Sequence, residues 1–583
     1  MASVQVTPDT WAFTALGDTV RFTAVARDSS GRPVVDQPPS TWRSDPPGVV
    51  FVREDGLAFA TGPGLARVIA TVDDVADTAP VSVVQTIESV AILVGLYGHL
   101  GALGDSIQLP VAAFDRNSFG VAGTTFSFQS LNETVATVNL TGWVKAVSPG
   151  VANLVAMAAG KADTAPVQVL QDVATIALAP DSAVLEDGTS RQFTAILKDR
   201  NGYPVTDRTP DAWRSSDTLV LGVSASGLAT ARAVKLGPAT VIATSGAVRG
   251  EAPAYVFTPF VAVAAGPAKT CAVSSRGRPY CWGWIDYTSG LRSTVPFERT
   301  ASPALGTSIS AGVTLSCGLT PGATAFCWGD TPFGLSGAPV VSPPTFSSLS
   351  VGYVTAYGLT ASGDAYAWTA VSPGPTLVPG GLAFATISAT YLACGTVASG
   401  AAYCWGANLT GGIGDSTYSD RPVPTAVVGS HTFAAVVAGG GHSCGITTGG
   451  PTYCWGRNTY GAFGDSTTTN TTYPVPAAAG LALTSLALGD FHTCGLLASG
   501  AASCWGLGER GSIGNGTFDQ ARLTPAPVSG GLTFASISAA SQHTCGLTSS
   551  GALFCWGRNE DGELGDGTGT NRAVPTRVAG SRP

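Results

Sequence analysis

The sequence has few charged residues, few lysines and no long hydrophobic segment. Charged residues make up 12% of the chain, and only 5 residues are lysine. With a formal net charge of -8, the chain has no basic block to meet nucleic-acid phosphates or an anionic membrane surface. No apolar run approaches the roughly 18 residues of a membrane-spanning segment. These absences argue against nucleic-acid binding and membrane insertion.

The first ten residues contain no recognisable secretion signal. They read MASVQVTPDT, without the basic start and apolar stretch of a signal peptide, and they lead directly into a strand-like pattern. Export of this protein would therefore depend on a signal or anchor outside this sequence.

Glycine is abundant, and the first 258 residues repeat about every 86 residues. The stretch GLARVIATV at 64–72 returns as GVANLVAMA at 150–158 and as GPATVIATS at 237–245. Apolar residues alternate within each repeat, and Gly, Pro and Asp separate the alternating runs. This pattern is typical of half-buried strands joined by turns and predicts small antiparallel sandwiches.

The three repeats resemble bacterial Ig-like domains of the Big-2 type. The shared pattern is G-x-x-x-x-F-T-A, then W-x-S, then G-L-A, and finally G-x-A-x-V-I-A-T before an apolar strand. The second repeat departs most, because FSFQS at 126–130 stands where the first has TWRSD. The resemblance implies three Ig-like domains, which we place at 1–86, 87–171 and 172–258.

A different repeat begins near residue 259 and is marked by a regularly spaced tryptophan. A typical unit contains four short strand patterns in 40 to 50 residues, with a long polar loop before the last one. Four strands in that length are typical of a propeller blade. Seven such units predict a seven-bladed β-propeller over 259–583. The marker residues are Trp282, Trp328, Trp368, Trp405, Trp455, Trp505 and Trp556.

These units resemble the RCC1 (regulator of chromosome condensation) family. The motif is G-x-x-H-[ST]-C-G-L-x-x-x-G-x-x-x-C-W-G-x-N-x-x-G-x-[LIF]-G-D-[SG]-T, and units four to seven keep it best. The resemblance implies a propeller fold for 259–583. It does not imply one activity, since the family includes a nuclear exchange factor, a plant photoreceptor and a secreted β-lactamase inhibitor.

All 12 cysteines lie in this second region, in pairs separated by ten positions. In a hairpin centred on the midpoint, such residues lie opposite each other, about 4.5–5.5 Å apart, within the range of a disulfide. One unit lacks both cysteines together, with Tyr357 and Ala367 in their places. We therefore predict disulfides within each unit, with reduced core thiols and a metal site as alternatives. The pairs are Cys271/Cys281, Cys317/Cys327, Cys394/Cys404, Cys444/Cys454, Cys494/Cys504 and Cys545/Cys555.

Six disulfides would require an oxidising compartment, so we expect an extracellular or cell-surface protein. His442, His492 and His543 lie two residues before a cysteine, a spacing that could indicate zinc. Disulfides would remove the necessary thiolates, and we expect these imidazoles to bond a neighbouring loop instead.

No motif supplies a nucleophile, a phosphate-binding loop or a cofactor site. We therefore predict no enzyme activity, no cofactor and no metal.

The loops that follow each Trp-Gly pair are long and polar and carry aromatic residues. Aromatic anchors on loops over a rigid scaffold are typical of binding faces. The alternative is that these aromatics pack within their own loops. The ligand-binding candidates are Trp284, Tyr287, Tyr418, Tyr460, Tyr473 and Phe518. The loop carboxylates Asp415, Asp465, Asp561 and Asp566 could hold Ca²⁺, but their spacing matches no established motif.

Together, these patterns predict a non-enzymatic exported or cell-surface binding or adhesion protein. An Ig-like stalk would present a propeller whose loop face recognises a glycan or a protein. The alternative is a regulator of another protein, either an exported enzyme inhibitor or, by family analogy, a guanine-nucleotide exchange factor.

Overall fold

The computed structural model describes residues 1–36, 40–93, 99–232, 234–286, 290–299, 302–329, 337–340, 344–478 and 480–582. Every regular element in these ranges is a β-strand, which confirms the all-β prediction. Within the same ranges, no helix has the length and hydrophobicity of a membrane span. The binding candidate Tyr287 lies outside the described residues.

The chain divides into two compact units. One comprises Met1–Ala177, Ala195–Pro210 and Thr244–Arg249. The other comprises Leu178–Thr194, Asp211–Ala243 and Gly250–Pro583. The domain boundaries predicted from the repeats stay predictions.

The first two repeats form short sheets in the first unit. In the first repeat the sheets contain Ser3–Thr7 with Thr23–Arg27; Trp11–Phe13, Val75–Val83, Gly64–Val72 and Thr41–Asp45; and Thr19–Arg21, Leu57–Ala60 and Val50–Val52. In the second they contain Ser89–Ile92 with Val111–Phe114; Ser127–Ser130, Gly150–Ala158 and Lys161–Val169; and Ser106–Gln108, Trp143–Ala146 and Ala136–Val138.

Two strand pairings differ from the predicted antiparallel arrangement, one in the first repeat and the equivalent one in the third, where Ala183–Glu186 pairs in parallel with the end of Val248–Phe257. Trp11–Phe13 pairs in parallel with the end of Val75–Val83, whereas Ser3–Thr7 pairs antiparallel with Thr23–Arg27. Pro8 lies between the two short strands and has no backbone N–H for a ladder. The break at Pro8 therefore lets the N-terminal segment change partners.

Alternating apolar residues of the strands bury one common core in each repeat. In the first repeat Phe22 and Val68 are 1% and 0% exposed, and both belong to the same core cluster. Phe22 is the phenylalanine of the F-T-A motif, so this part of the sequence pattern reflects packing. Burying one such side chain contributes roughly 1.5–3 kcal/mol.

An Asp-Arg-Asn triplet from the second repeat fastens it to the first. Asp115 accepts a hydrogen bond from the Leu16 backbone N–H at 2.8 Å. The Asn117 amide donates to the Leu16 carbonyl and to Asp18, both at 2.8 Å, while Arg116 pairs with Asp18 at 2.7 Å. The junction between the two repeats therefore combines hydrogen bonds to the backbone with an ion pair between side chains.

The same triplet returns 84 positions later, between the second and third repeats. Asp199 accepts from the Leu103 N–H at 2.9 Å, and Asn201 donates to the Leu103 carbonyl at 2.9 Å. Arg200 pairs with Asp105 at 2.5 Å. One junction chemistry therefore serves two successive joints in the first unit.

The third repeat supplies strands to both compact units. They are Thr175–Ala179, Ala183–Glu186, Ser190–Gln192, Thr194–Lys198, Ala212–Ser215, Leu221–Val223, Leu228–Ala231, Gly237–Ser245 and Val248–Phe257. Asp187, which is 0% exposed, pairs with Arg276 at 2.9 Å within the second unit.

The remaining strands form seven four-stranded antiparallel sheets in the described residues, named sheets A to G in chain order. Sheets A to C comprise Phe260–Gly266, Lys269–Ser274, Pro279–Asp286 and Leu291–Glu298; Ile309–Ala311, Leu315–Leu319, Ala325–Gly329 and Ala338–Pro339; and Ser348–Val351, Thr355–Leu359, Ala365–Thr369 and Thr376–Leu377. Sheets D and E comprise Phe384–Ala389, Leu392–Val397, Ala402–Gly406 and Arg421–Ala426; and Phe433–Ala438, His442–Thr447, Thr452–Gly456 and Thr471–Pro476. Sheets F and G comprise Leu483–Leu488, His492–Leu497, Ala502–Leu507 and Ala521–Pro527; and Ser536–Ala540, His543–Leu547, Leu553–Gly557 and Arg572–Arg577.

The two middle strands of each sheet carry most of its buried residues. In sheet G, His543–Leu547 is buried throughout, whereas the outer strand Arg572–Arg577 is partly exposed. Alternation along a strand sends side chains to both faces, so a strand buried on both faces lies between neighbouring layers. Sheets A to G are therefore covered on both faces near their centres.

Candidate functional site

Six disulfides join the two middle strands of six of the sheets, as predicted. The paired cysteines lie opposite each other in the strand register, and their Cα atoms are 4.1 Å apart in every pair. In sheet C, Tyr357 and Ala367 occupy the same register position. All 12 cysteines are bonded, which removes thiol ligands for a metal. The bonds are Cys271–Cys281, Cys317–Cys327, Cys394–Cys404, Cys444–Cys454, Cys494–Cys504 and Cys545–Cys555.

Four of the repeated tryptophans, Trp282, Trp455, Trp505 and Trp556, connect their sheet to the loop of the preceding one. The indole Nε1–H of Trp505 in sheet F donates to the Ala462 carbonyl of the sheet E loop at 2.8 Å. Trp282 of sheet A donates in the same way to the Glu563 carbonyl of sheet G at 2.7 Å. The last sheet therefore contacts the first through the bond that joins consecutive sheets.

The three motif histidines make a second contact between sheets. His442 Nε2 lies 2.8 Å from Thr493 Oγ1, and His492 Nε2 lies 2.8 Å from Thr544 Oγ1. His543 Nε2 in sheet G lies 2.9 Å from Thr270 Oγ1 in sheet A. These imidazoles join neighbouring sheets, and the contact again runs from the last sheet to the first.

Burial controls the ionisation of these histidines. Desolvation lowers the pKa of His442 to about 3, that of His492 to about 4 and that of His543 to about 3. A neutral imidazole suits this position, because each Nε2 faces one hydroxyl. Among the described residues, no group of three His, Cys, Asp or Glu side chains could hold a metal ion.

In sheets D, E and G, the loop after Trp-Gly is organised around a buried asparagine, Asn408, Asn458 or Asn559. In sheet D, the Asn408 amide donates to the Thr417 carbonyl at 2.9 Å, and its oxygen accepts from the Ile413 N–H at 3.0 Å. Asp415 accepts from Arg421 at 2.6 Å. Burial would raise the Asp415 pKa, but its hydrogen bonds from Thr417 and Arg421 lower it below the usual range. Asp465 and Asp566 likewise bond within their own loops, whereas Asp561 pairs with Arg558 and with Arg292 of sheet A.

The predicted loop aromatics occupy different kinds of position. Tyr418 and Phe518 project from loops and are 58% and 55% exposed. Tyr460 packs edge-to-face on Phe491, with ring centroids 5.6 Å apart. Each of these three lies in a loop, as the sequence predicts.

Trp284 and Tyr473 lie in strands, so their assignment to loops was wrong. Trp284 belongs to the third strand of sheet A, and the Arg292 guanidinium lies 4.4 Å from its ring. Tyr473 belongs to the outer strand of sheet E and is 51% exposed. Aromatic side chains favour strands, and in these units the strands extend further than the motif spacing indicates.

A cluster that the sequence did not reveal lies where the first strands of the sheets end. The hydroxyl of Tyr353 donates to Asp490 Oδ1 and Oδ2 at 2.7 and 2.8 Å, joining sheets C and F. The Tyr353 ring stacks on Tyr391 of sheet D with centroids 3.7 Å apart. Arg457 of sheet E lies 5.0 Å from the Phe491 ring. We name these five residues the mouth cluster.

The mouth cluster borders a cavity of about 240 Å³ that is lined by residues from all seven sheets. Tyr353 and Asp490 are among the lining residues. Burial raises the Asp490 pKa, although hydrogen bonds from Tyr353 and Ser541 oppose the shift. One feature of the sequence could have indicated this site. The turn position two residues before the second strand differs in every unit from sheet C to sheet G, where it holds Tyr353, Thr390, Gly440, Asp490 and Ser541. That variability contrasts with the constant Cys and Trp positions.

Sheets A to G define an all-β repeat protein whose sheets are stapled by disulfides and joined by repeated side-chain bonds. Residues 433–462, 483–512 and 534–563 match the Regulator of chromosome condensation (RCC1) repeat, and a second description of that repeat matches 550–583. These segments of the chain are therefore similar to RCC1 repeats.

One similar curated protein is Ice-binding protein 1 of Shewanella frigidimarina, with 28% identity over 249 residues. The match covers 42% of this chain and 28% of that protein. Among solved structures, Prp20p from Saccharomyces cerevisiae is 18% identical, with a TM-score of 0.37, covering 54% of this chain and 76% of that chain. The Escherichia coli adhesin FdeC is 19% identical, with a TM-score of 0.27, covering 44% and 96%.

Proposed function

We propose that this protein is a non-enzymatic binding protein that works outside the cytoplasm or on a cell surface. Three Big-2 Ig-like domains over 1–258 precede a seven-bladed propeller over 259–583, and the propeller loops bind a glycan or protein ligand. The bonds from sheet G to sheet A support a closed ring. The name of the curated relative describes binding, which is consistent with this role.

The observation that carries the proposal is that polar side chains inside the loops are bonded while aromatic side chains outside them are exposed. In the sheet D loop, Asn408 and Asp415 are bonded within the loop. In the sheet F loop, the Thr517 hydroxyl is bonded to Asn515 and Asp519, and such bonds fix the loop shape. Tyr418 and Phe518, 58% and 55% exposed, remain on the outside. Exposed aromatics on a rigid frame supply binding area at low entropic cost, as in other recognition surfaces.

The test is ligand capture by the full, oxidised chain on a glycan array and on immobilised cell-surface proteins. We expect Tyr418→Ala combined with Phe518→Ala to weaken capture at least about tenfold. Leu377→Ala is the matched control, because Leu377 is 57% exposed on the outer strand of sheet C. Equal binding by the double variant and the wild type would contradict the loop-face proposal.

The proposed compartment has its own test. The chain should show no free thiol when it is denatured without reductant, because all 12 cysteines are paired. Twelve alkylated cysteines in protein treated with an alkylating reagent at lysis would contradict export. An exchange factor acting in a reducing compartment is disfavoured for the same reason.

A further inference from the structure

The mouth cluster depends on a turn in sheet E that has no side chains. Gly439, Gly440 and Gly441 follow one another there. A Cβ on Gly440 would collide with the Asp490 carboxylate, and a Cβ on Gly441 would lie 3.0 Å from Arg457 Cζ. The bare backbone therefore gives the Asp490 and Arg457 side chains the room they occupy.

The cluster combines acceptors, donors and aromatic faces. The Asp490 carboxylate has about four acceptor positions, and Tyr353 and Ser541 use only part of them. The Arg457 guanidinium offers five N–H donors and is oriented by the Phe491 ring. Tyr391, which is 55% exposed, presents the outer face of its stack with Tyr353.

The charge and size of the site restrict its ligand. The Asp490 carboxylate and the Arg457 guanidinium lie against the consecutive residues Gly440 and Gly441. An ionic ligand attracted by one of these charges would therefore be repelled by the other. The cavity of about 240 Å³ is smaller than the roughly 300–1,000 Å³ typical of drug-sized ligands. A neutral ring with several hydroxyls and an apolar C–H face fits this combination of groups. The hydroxyls match the acceptors of Asp490 and the donors of Arg457, and the C–H face matches the aromatic surface.

We propose that the mouth cluster binds a single neutral sugar ring, such as the terminal residue of a glycan. Its hydroxyls donate to Asp490 and accept from Arg457, and its C–H face packs on Tyr391. This inference rests on the proposed binding function and specifies both the ligand class and a site distinct from Tyr418 and Phe518.

The test is calorimetric and NMR titration of the full, oxidised chain with glucose, galactose, mannose, N-acetylglucosamine and their β-1,4-linked disaccharides. We expect Tyr391→Ala and Asp490→Asn each to weaken binding of the sugars that bind by about tenfold or more. Tyr203→Ala is the matched control, because Tyr203 is a comparably exposed tyrosine at 48% and lies in the third repeat, outside sheets A to G. This control should change affinity by less than about twofold.

Folding of the variants is checked by circular dichroism and urea unfolding, and Asp490→Asn keeps the size of the side chain. Sugar binding that survives both mouth variants but is lost in the Tyr418 and Phe518 double variant overturns the inference and leaves the proposed function intact. If the wild type binds none of the sugars tested but still captures a protein ligand, the inference is also overturned and the proposed function stays intact. Failure of the wild type to bind any glycan or protein overturns the inference and the proposed function together.

Discussion

The three buried histidines make the stability of the second unit depend on pH. Their pKa values in the folded chain are about 3, 4 and 3 for His442, His492 and His543, below the ordinary value of 6.5. At pH 8, well above 6.5, the imidazoles are almost entirely neutral in both states and contribute little pH dependence. As the pH falls below 6.5, the unfolded chain binds protons that the folded chain does not. The free energy of unfolding therefore decreases toward low pH.

The size of the effect follows from the unfolded pKa. At pH 5 each imidazole favours the unfolded state by about 2 kcal/mol, since the folded pKa values lie a full unit or more lower. Three imidazoles therefore lower the free energy of unfolding by roughly 6 kcal/mol between pH 8 and pH 5. That change is comparable to the whole stability of many domains.

Other buried groups act in the opposite direction and must be separated from the histidines. Four carboxyls have raised pKa values in which burial is the largest cause, and these stabilise the folded chain as the pH falls. A single-site comparison removes their contribution, because it is common to the wild type and the variant. These carboxyls are Asp187, Glu298, Asp490 and Glu563.

The assay is urea unfolding of the oxidised chain at pH 8 and pH 5, followed by tryptophan fluorescence. His492→Asn should lower the free energy of unfolding at pH 8, because the bond to Thr544 changes. Between pH 8 and pH 5, the free energy of unfolding of this variant should fall by about 2 kcal/mol less than that of the wild type. His431→Asn, at a partly exposed site in the same unit, serves as the control. An unchanged difference between the two pH values in His492→Asn would refute the reasoning.

Three further changes test the packing between and within sheets. Gly464→Ala should destabilise by about 2–4 kcal/mol in urea unfolding, because its φ is +68° and a Cβ would lie 2.8 Å from Trp505 Nε1; Gly480→Ala, at φ +84° with open space, should cost only about 1–2 kcal/mol. Replacing Cys494 and Cys504 together by Ala should lower the free energy of unfolding by about 2–3 kcal/mol, and an unchanged urea midpoint would contradict a structural role for the staple. Asn458→Ala should cost about 2–4 kcal/mol, because the side chain is 0% exposed and supports its loop; exposed Asn132→Ala should cost under about 1 kcal/mol.

Features that depend on neighbours in sequence could be predicted, because a hairpin fixes their geometry. The pairing of Cys545 with Cys555 needs only a centred turn, and the register has these residues opposite each other. Likewise, apolar alternation alone predicts strands. In sheet C, where both cysteines are missing, Tyr357 and Ala367 lie opposite each other in the same register. Local spacing could not define strand ends, which is why Trp284 and Tyr473 were assigned to loops.

Features that depend on distant segments could not be predicted in this way. The His543 motif shows a recurrent imidazole, but its partner Thr270 lies 273 positions away. The mouth cluster is a stronger case, because Tyr353 and Asp490 are 137 positions apart and meet across a cavity lined by all seven sheets. In a repeat protein, the constant positions build contacts between adjacent sheets. Variable positions at the same turn are free to meet across the centre, so the search for function belongs at those positions.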